Sequence, residues 1–149
     1  MNIGVHFFDL LLWLFGPAEQ SLVHQATPSR MAGYLELARA RVRWFLSVEA
    51  EDLPADVRNQ GGSAYRSITV DDQELDLSSG FTDLHTAVYR EILAGAGFGI
   101  EDSRPAVELV YGLRGSREVP GNGFAHPFLA GHRVPVTRDR WPAPRGVTT

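Results

Sequence analysis

The sequence predicts an α+β domain, in which a mostly antiparallel open sheet carries helices packed on one face. Strand patterns form two groups in the first half of the chain, and helical patterns stand before and after them. Clustered strands with segregated helices are typical of α+β domains. The links between neighbouring strands are short, and short links indicate antiparallel pairing because a parallel crossover needs about a dozen residues or more.

The length and composition are those of one globular domain. The chain has 149 residues, of which 44% are hydrophobic and 21% are charged, enough for a single core. We expect this domain to occupy residues 1–129. Residues 130–149 are rich in proline and arginine, and we predict an irregular or disordered tail there because proline interrupts helices and central strands.

Charge and residue usage exclude several function classes. The net charge of -4 argues against nucleic acid as the main partner, since a phosphate-binding face normally shows a basic excess. No Cys occurs, which excludes disulfides, thiolate zinc sites and cysteine nucleophiles. All 14 basic residues are Arg, so no mechanism using a lysine is complete on this chain. A chain without Cys suits a reducing interior, and we expect a cytoplasmic protein.

Residues 1–16 are predicted to form an apolar helix with one polar stripe. Asn2, His6 and Asp9 follow spacings of four and three residues, so they project from neighbouring positions on the helix. Bulky apolar groups at residues 10–15 surround the axis, a pattern that predicts burial on every side. A secretory signal needs a basic segment before its apolar core, but no Arg precedes this run and His6 and Asp9 interrupt it. A membrane span needs about 20 apolar residues, and this run is shorter. We therefore expect no membrane segment.

Three strands are predicted next, at residues 21–27, 33–37 and 41–50. The third strand alternates with the period of a half-buried strand, and its inward face comprises Val42, Trp44, Leu46 and Val48. Phe45 lies among the polar residues of the other face. We expect one face of the sheet, carrying the apolar groups of either the Trp44 side or the Phe45 side, to be exposed and to serve as an association surface.

A second hairpin and two helices complete the predicted elements. The hairpin joins residues 65–70 to 74–77, with Asp71-Asp72 at the turn, where aspartate is favoured. A helix at residues 82–94 ends at the glycine-rich run 95–99. Its apolar stripe comprises Leu84, Val88, Ile92 and Tyr89.

The last helix is predicted at residues 101–113. Asp102 or Ser103 is the expected cap, and Pro105 falls in the first turn, where a missing amide hydrogen costs nothing. Three apolar residues are expected to face inwards: Val107, Val110 and Tyr111.

His6 is the strongest candidate for chemistry. Its imidazole either lies at the wall of a pocket or is a core histidine that Asp9 or a carbonyl satisfies, because an unpaired buried imidazole is unfavourable. Asn2 could equally be a helix cap, and Asp9 either orients the imidazole or takes a backbone partner. The other histidines are scattered singly along the chain, so we predict no metal site.

A second polar cluster stands at the predicted start of the helix at residues 82–94. It includes His85, and a helix start favours an anion, although ordinary capping by Thr82 and Asp83 also explains it. Arg58 and Arg66 lie in loop or strand positions where a planar guanidinium can bind a carboxylate or a phosphate. Both arginines could also be solvated surface residues.

Several blocks of the sequence together resemble one oxidoreductase family. The first block runs from Asn2 to Gly16 and contains G-x-H-x-x-D. The others are residues 33–37, 41–47, 65–71, 80–86 and 97–102. From Asn2 to about Leu129 the chain resembles the C-terminal domain of the Gfo/Idh/MocA oxidoreductases. More narrowly, it is similar to the UDP-N-acetyl-hexosaminuronate (UDP-GlcNAcA) 3-dehydrogenases of bacterial lipopolysaccharide and surface-polysaccharide synthesis.

The resemblance implies NAD-dependent oxidation of a hydroxyl on a UDP-sugar acid. In the family, a histidine from this helix and a lysine from the nucleotide-binding domain flank the reacting carbon. His6 takes the catalytic position here, Asn2 stands four residues before it, and Asp9 supports it. Further substrate contacts are expected from Tyr65, Arg66, Arg58 and His85. A homo-oligomer formed through the sheet face is also expected.

The family's N-terminal half has no counterpart in this sequence. Its glycine-rich dinucleotide loop after a first strand and its catalytic lysine are both missing. We therefore expect a C-terminal fragment that is inactive alone, with NAD bound only in a full-length parent. The alternative is a stand-alone, non-catalytic self-association module derived from the same fold.

Overall fold

The computed structural model describes residues 2–78, 83–121 and 123–130 of the chain. Helices and antiparallel strands alternate in groups, and the predicted α+β class is confirmed. In chain order the elements are α1 (Asn2–Phe15), β1 (Ala18–Ala26), β2 (Arg30–Leu37), β3 (Ala40–Ser47), α2 (Ala55–Asn59), β4 (Ser67–Val70), β5 (Gln73–Asp76), α3 (Leu84–Leu93) and α4 (Ile100–Gly115).

The strands form two separate antiparallel sheets. The larger sheet has the order β1-β2-β3, and the smaller one is the hairpin β4-β5. Asp71 and Asp72 have positive φ angles of 49° and 65° at the hairpin turn, as the two central residues of a tight primed turn require. The predicted second hairpin is therefore confirmed.

The third strand is shorter than its alternation predicts. β3 ends at Ser47, and Val48 beyond it is 77% exposed. The chain turns away because the Ser47 hydroxyl accepts a hydrogen bond from the Glu49 backbone N–H at 3.0 Å. The prediction that Val48 faces inwards is wrong.

One face of the larger sheet packs on α1 and α4. Phe8 of α1 contacts Trp44 of β3 edge to face, with ring centroids 5.3 Å apart. The core around this pair is apolar throughout, and its other buried members are Leu11, Val23, Met31, Leu35, Leu37 and Leu113. Ile68 of β4 packs against the same core and so brings the small hairpin beside it.

Two glycines lie at close approaches, one within the larger sheet and one between α1 and β3. A Cβ atom on Gly33 of β2 would lie 2.1 Å from the carbonyl oxygen of Leu22 and 2.7 Å from the Trp44 ring. A Cβ atom on Gly4 would lie 2.9 Å from the Cδ1 atom of Leu46, near the end of β3. The N-terminal part of α1 therefore lies at the edge of the sheet where β3 ends.

The second face of the larger sheet is partly covered by the chain itself. After α4, the Val119 backbone N–H donates to the Val23 carbonyl at 2.8 Å and fixes the segment that follows. Phe45 then contacts the rings of His126 and Phe128, at centroid distances of 5.6 and 5.3 Å. This face is therefore partly covered, whereas the sequence predicts an exposed one. Phe128 of the covering segment is itself 62% exposed.

The outer surfaces of the helices differ most from the sequence expectations. α1 is not buried on every side, because Trp13 is 76% exposed. α3 has no buried residue, although its predicted stripe is present. On α4 only Val110 of the three residues expected to face inwards packs against the core, whereas Val107 and Tyr111 are exposed.

The cap of α4 also differs from the prediction. Gly99 is the cap residue, and its backbone N–H donates to the Oδ2 atom of Asp102 at 2.6 Å. Among the helices that the structure describes, none is long and apolar enough to cross a membrane. The predictions for residues 79–82 and for the tail after Ala130 lie outside the described residues.

Candidate functional site

Two polar candidates of the first helix, His6 and Asp9, lie on the side of α1 opposite its buried stripe. Gly4, Phe8 and Leu11 form the buried stripe of the helix. His6 and Asp9 occupy the opposite stripe, and both are exposed. The burial of one stripe fixes the direction of the other, since positions three and four apart share a face.

The imidazole of His6 is open to solvent. No hydrogen bond or ion pair joins it to Asp9 or to any other residue that the structure describes. The alternative to a chemical role is a buried histidine whose hydrogen bonds are satisfied by Asp9 or by a carbonyl. The structure does not show this arrangement. Asn2 lies in the first turn of α1, and its side chain is outside the described part of the chain.

Arg66 is held beside the small hairpin by its backbone. Its N–H donates to the Ser78 hydroxyl at 2.8 Å, and its carbonyl accepts from the Leu77 N–H at 2.7 Å. The side chain is half-buried, and within the described ranges its guanidinium has no ion-pair partner. A fixed backbone with an uncommitted guanidinium is a suitable arrangement for binding an anion.

Tyr65 is engaged within the hairpin. Its hydroxyl donates to the Oε1 atom of Glu74 at 2.8 Å, and this hydrogen bond is the main reason that the pKa of Tyr65 is raised. The protonated phenol is thereby favoured. A ligand that uses the Tyr65 hydroxyl must compete with Glu74 for it.

Arg58 and His85 lie apart from the stripe of α1. Arg58 is exposed in the short helix α2, and His85 is exposed in the first turn of α3. In the described part of the chain, no hydrogen bond or ion pair joins either of them to His6. The structure thus places the candidate groups on α1, on α2, on α3 and beside the small hairpin.

A polar network missed by the sequence analysis lies where β3 ends. The Nε atom of Arg30 donates to Asp52 at 2.6 Å, and its Nη2 atom donates to the other carboxylate oxygen at 3.2 Å. The Ser47 hydroxyl donates to the same carboxylate at 2.5 Å. The hydrogen bond from Arg30 is the main cause of the lowered pKa of Asp52. Periodicity gives no signal for such a pairing, since the partners are 22 residues apart.

Neither of two shallow clefts on the described surface contains His6 or a candidate arginine. One lies between α1, β1 and α4, and its walls include Leu12, Gln20 and Pro105. The other lies along α4 and is lined mainly by Phe98, Ile100 and Val107. Within residues 2–78, 83–121 and 123–130, no group of three His, Asp or Glu side chains is placed to hold a metal ion.

The glycine-rich run at residues 95–99 does not have the geometry of a dinucleotide-binding turn. Dinucleotide sites use a glycine-rich turn that leaves a strand and opens a helix. The glycine-rich run of this chain joins α3 to α4 instead, and Gly95, with a φ of 75°, ends α3. The run is therefore a helix-to-helix link.

No family model matches the sequence. Two crystal structures of the WlbA (WbpB) dehydrogenase from Thermus thermophilus are similar to it, each with a TM-score of 0.80. One, in complex with NAD and alpha-ketoglutarate, is 52% identical in sequence, and the other, in complex with NAD and UDP-GlcNAcA, is 50% identical. Each match covers 85% of this chain and 41% of the dehydrogenase chain. The chain therefore spans less than half the length of these relatives.

Proposed function

Because the chain belongs to the family of the WlbA (WbpB) dehydrogenases, we propose that it is the substrate-binding and oligomerisation part of an NAD-dependent UDP-GlcNAcA 3-dehydrogenase. In this proposal it corresponds to the C-terminal domain of a Gfo/Idh/MocA oxidoreductase. The similarity to a dehydrogenase crystallised with both NAD and UDP-GlcNAcA is the observation that carries the proposal. Sequence identity of about half, over most of the chain, supports a shared substrate class.

His6 is the proposed catalytic residue. Oxidation of a secondary alcohol to a ketone removes the hydroxyl proton together with the hydride of the same carbon, and a neutral imidazole is suited to accept that proton. The exposed ring on the outer stripe of α1 is accessible to a sugar hydroxyl. Asn2 cannot titrate, so its role would be to orient the hydroxyl, and Asp9 would orient the imidazole.

The charges of the sugar nucleotide indicate the roles of the arginines. A UDP-sugar acid carries a diphosphate and a carboxylate, and a guanidinium binds either group with two parallel hydrogen bonds. Arg66 is the better-placed candidate because its backbone is fixed and its side chain is half-buried. Arg58, Tyr65 and His85 are proposed as further substrate contacts, which requires the ligand or another domain to bring these surfaces together.

NAD supplies the hydride acceptor, and we propose that it is held by the remainder of a longer protein. The isolated chain is then expected to give no turnover. We also propose a cytoplasmic reaction in surface-polysaccharide synthesis and a homo-oligomer formed through the second sheet face. The segment after α4 lies on that face, so its exposed Phe128 would belong to the contact.

A chimera tests the proposed function. The matched part of the Thermus thermophilus dehydrogenase is replaced by this chain, and NADH formation with UDP-GlcNAcA is followed by absorbance. We expect turnover by the chimera and none by the isolated chain. A chimera that binds NAD and has native secondary structure but does not oxidise UDP-GlcNAcA would contradict the proposal.

The His6→Gln variant of the chimera tests the catalytic role. Loss of general base catalysis is expected to lower kcat by about 100-fold to 10,000-fold, with a smaller change in KM. Glu19→Gln, an exposed change on β1, is the matched control and is expected to leave kcat unchanged. Equal kcat values for the His6 variant and the control would remove His6 from the mechanism.

The second candidate function is a non-catalytic self-association module. It is favoured by the large apolar side chains exposed on α3 and α4, which include Ile92 and Val107. Analytical ultracentrifugation of the isolated chain separates this candidate from the first. A stable oligomer combined with an inactive chimera supports the module, whereas an active chimera supports the dehydrogenase.

A further inference from the structure

The polar network at the end of β3 joins three side chains, Arg30, Ser47 and Asp52, which we call the β3 clamp. The Asp52 carboxylate accepts two hydrogen bonds from the Arg30 guanidinium, at 2.6 and 3.2 Å, and one from the Ser47 hydroxyl at 2.5 Å. Two parallel hydrogen bonds from a guanidinium fix a carboxylate in direction as well as in distance. Asp52 therefore ties the last residue of β3 to the first residue of β2.

The β3 clamp acts on a strand at the edge of the larger sheet. In the described part of the chain, β3 pairs with β2 on one side and has no strand on the other. Arg30 and Ser47 are the last pair of that ladder, and beyond it the Val48 N–H donates to the Ser29 carbonyl at 3.0 Å. Elements with few neighbours open more readily than the core. The side-chain clamp therefore stabilises the end of β3, where Leu46 lies.

The inward face of β3 supports the amino-terminal half of α1 at two points. Phe8 contacts Trp44, with ring centroids 5.3 Å apart. The backbone of Gly4 lies so close to Leu46 that an added Cβ would be 2.9 Å from the Cδ1 atom. The spacings match, since four helical residues rise about 6 Å and two strand residues about 6.6 Å. The first half of α1 therefore runs along β3, in the opposite direction.

His6 lies between those two contacts in sequence, and its ring is exposed on the other side of the helix. A displacement of the helix at Gly4 therefore displaces the imidazole as well. The carboxyl-terminal half of α1 has different supports, because the Arg39 guanidinium donates to the Leu14 carbonyl at 2.7 Å and α4 packs against the helix. Loss of the β3 clamp is thus expected to affect the first half of α1 and not the second.

We propose that Asp52 is a positioning residue for His6, and that it acts through the β3 clamp and the contact of Leu46 with Gly4. The inference rests on the proposed function, in which the imidazole accepts a proton from a sugar hydroxyl. Proton transfer requires the base within hydrogen-bond distance of that hydroxyl, and a displacement of about 1 Å can lower a rate by about 100-fold. Asp52 touches no substrate in this proposal.

The charges of the β3 clamp favour a positioning role over an anion site. Arg30 and Asp52 compensate each other, and the hydrogen bond from Arg30 is the main cause of the lowered pKa of Asp52. The carboxylate is therefore charged at neutral pH, and the pair stays closed there. Arg66, in contrast, has no ion-pair partner within the described ranges, which leaves it available to a phosphate or a carboxylate.

A double-mutant cycle in the chimera described above tests the positioning role. Asp52→Ala is expected to lower kcat for UDP-GlcNAcA oxidation by about 10-fold to 100-fold, with a smaller change in KM, because the substrate contacts remain. In the His6→Gln chimera the same change is expected to leave kcat unaltered, since no base remains to be displaced. An equal fractional loss of kcat in both backgrounds would reveal a general structural effect and overturn the proposal.

Hydrogen exchange of the isolated chain gives a readout that does not depend on activity. Amides of residues 6–9 bond within the first turns of α1, and in Asp52→Ala they are expected to exchange at least about 10-fold faster than in the unchanged chain. Amides of residues 12–15 are expected to keep their rates. Unchanged rates at residues 6–9, or equal acceleration of both halves of the helix, would overturn the proposal.

Two further variants complete the experiment. Arg30→Lys keeps the charge but loses the two parallel hydrogen bonds, so it is expected to cause smaller changes of the same kind and serves if Asp52→Ala does not fold. Glu101→Ala is the matched control, because it removes another two-bond pair, with Arg104 at 2.6 and 2.8 Å on α4. The control is expected to leave kcat and the exchange of residues 6–9 unchanged. A loss as large as that of Asp52→Ala would overturn the proposal.

The outcomes distinguish this inference from the proposed function. A chimera without turnover rejects the dehydrogenase function, whereas faster exchange at residues 6–9 in Asp52→Ala still supports the hold of the β3 clamp on α1. A chimera that turns over UDP-GlcNAcA with the same kcat before and after the Asp52→Ala change rejects the positioning role alone.

Discussion

The α1 helix and the α3 helix both carry apolar stripes, and their environments are opposite. In α1 the stripe is inserted between the sheet and α4, and Phe8 is 1% exposed. In α3 the stripe is at least half exposed along its length. An apolar stripe therefore indicates that a helix needs a partner, whereas the identity of that partner depends on tertiary structure.

The largest expected effect on the free energy of unfolding comes from removing a buried side chain of α1. Phe8→Ala leaves a cavity beside Trp44 and is expected to lower the free energy of unfolding by about 3–5 kcal/mol. Trp13→Ala on the same helix is the control, since that ring is 76% exposed and its loss removes little packing. Urea denaturation of the isolated chain measures both. Similar losses for the two variants would contradict the packing of α1.

Adding one methyl group at the centre of the sheet is expected to have the next largest effect. Gly33→Ala places a Cβ against the Leu22 carbonyl and the Trp44 ring, and this overpacking is expected to cost about 1–3 kcal/mol. Gly112→Ala in α4 is the matched control, because nothing lies within 4 Å of its added Cβ. That control is expected to stabilise the helix by roughly 0.5–1 kcal/mol. Thermal unfolding of both variants checks the opposite signs.

The histidine on the second sheet face gives a pH-dependent effect. Burial, and secondarily the charge of Arg43, lower the pKa of His126 to about 4. Because the unfolded chain binds the proton more tightly, His126 destabilises the fold as pH falls from its ordinary pKa of 6.5 towards 4, by up to about 1.4 kcal/mol per pH unit.

Replacing the His126 side chain is expected to remove its contribution to the pH dependence of the free energy of unfolding. His126→Gln is expected to have a flatter stability profile between pH 6.5 and pH 4 than the unchanged chain. His85→Gln on exposed α3 is the control and should keep the original slope. Urea denaturation at several pH values makes the measurement. An unchanged slope in His126→Gln would contradict the burial of His126 against Phe45.

The smallest effect is expected on the α3 side of the comparison. Ile92→Ala in the isolated chain should change the free energy of unfolding by less than about 0.5 kcal/mol, because the side chain is 53% exposed. A large loss in the isolated chain would show that α3 is already packed there.

The sequence predicted the secondary-structure elements better than it predicted which of their faces are buried. The three strands, the second hairpin and the two later helices follow from periodicity and turn residues. Periodicity reports which residues share a face and not what covers that face, so the exposure of Val107 and Tyr111 was not predictable. The cover on the second sheet face was missed because it comes from an irregular segment after α4.

The candidate site was predictable where its residues share one helix. The spacing of His6 and Asp9 correctly predicted a common stripe, although their exposure was not anticipated. Arg30 and Asp52 pair across a chain reversal, and no local pattern indicates such a contact. Arg58 and Arg66 lie on other elements than His6, and no local pattern relates them to it.

The approach of Gly4 to Leu46 offers a way to adjust the reach of the imidazole without altering it. His6 is two residues beyond Gly4 on a rigid helix, so any displacement at Gly4 is transmitted to the ring. An alanine there has only 2.9 Å to the tip of a flexible leucine, which can yield or push the helix outward. A graded series of side chains at residue 4 would therefore vary the position of the His6 ring relative to the hydroxyl of the proposed substrate.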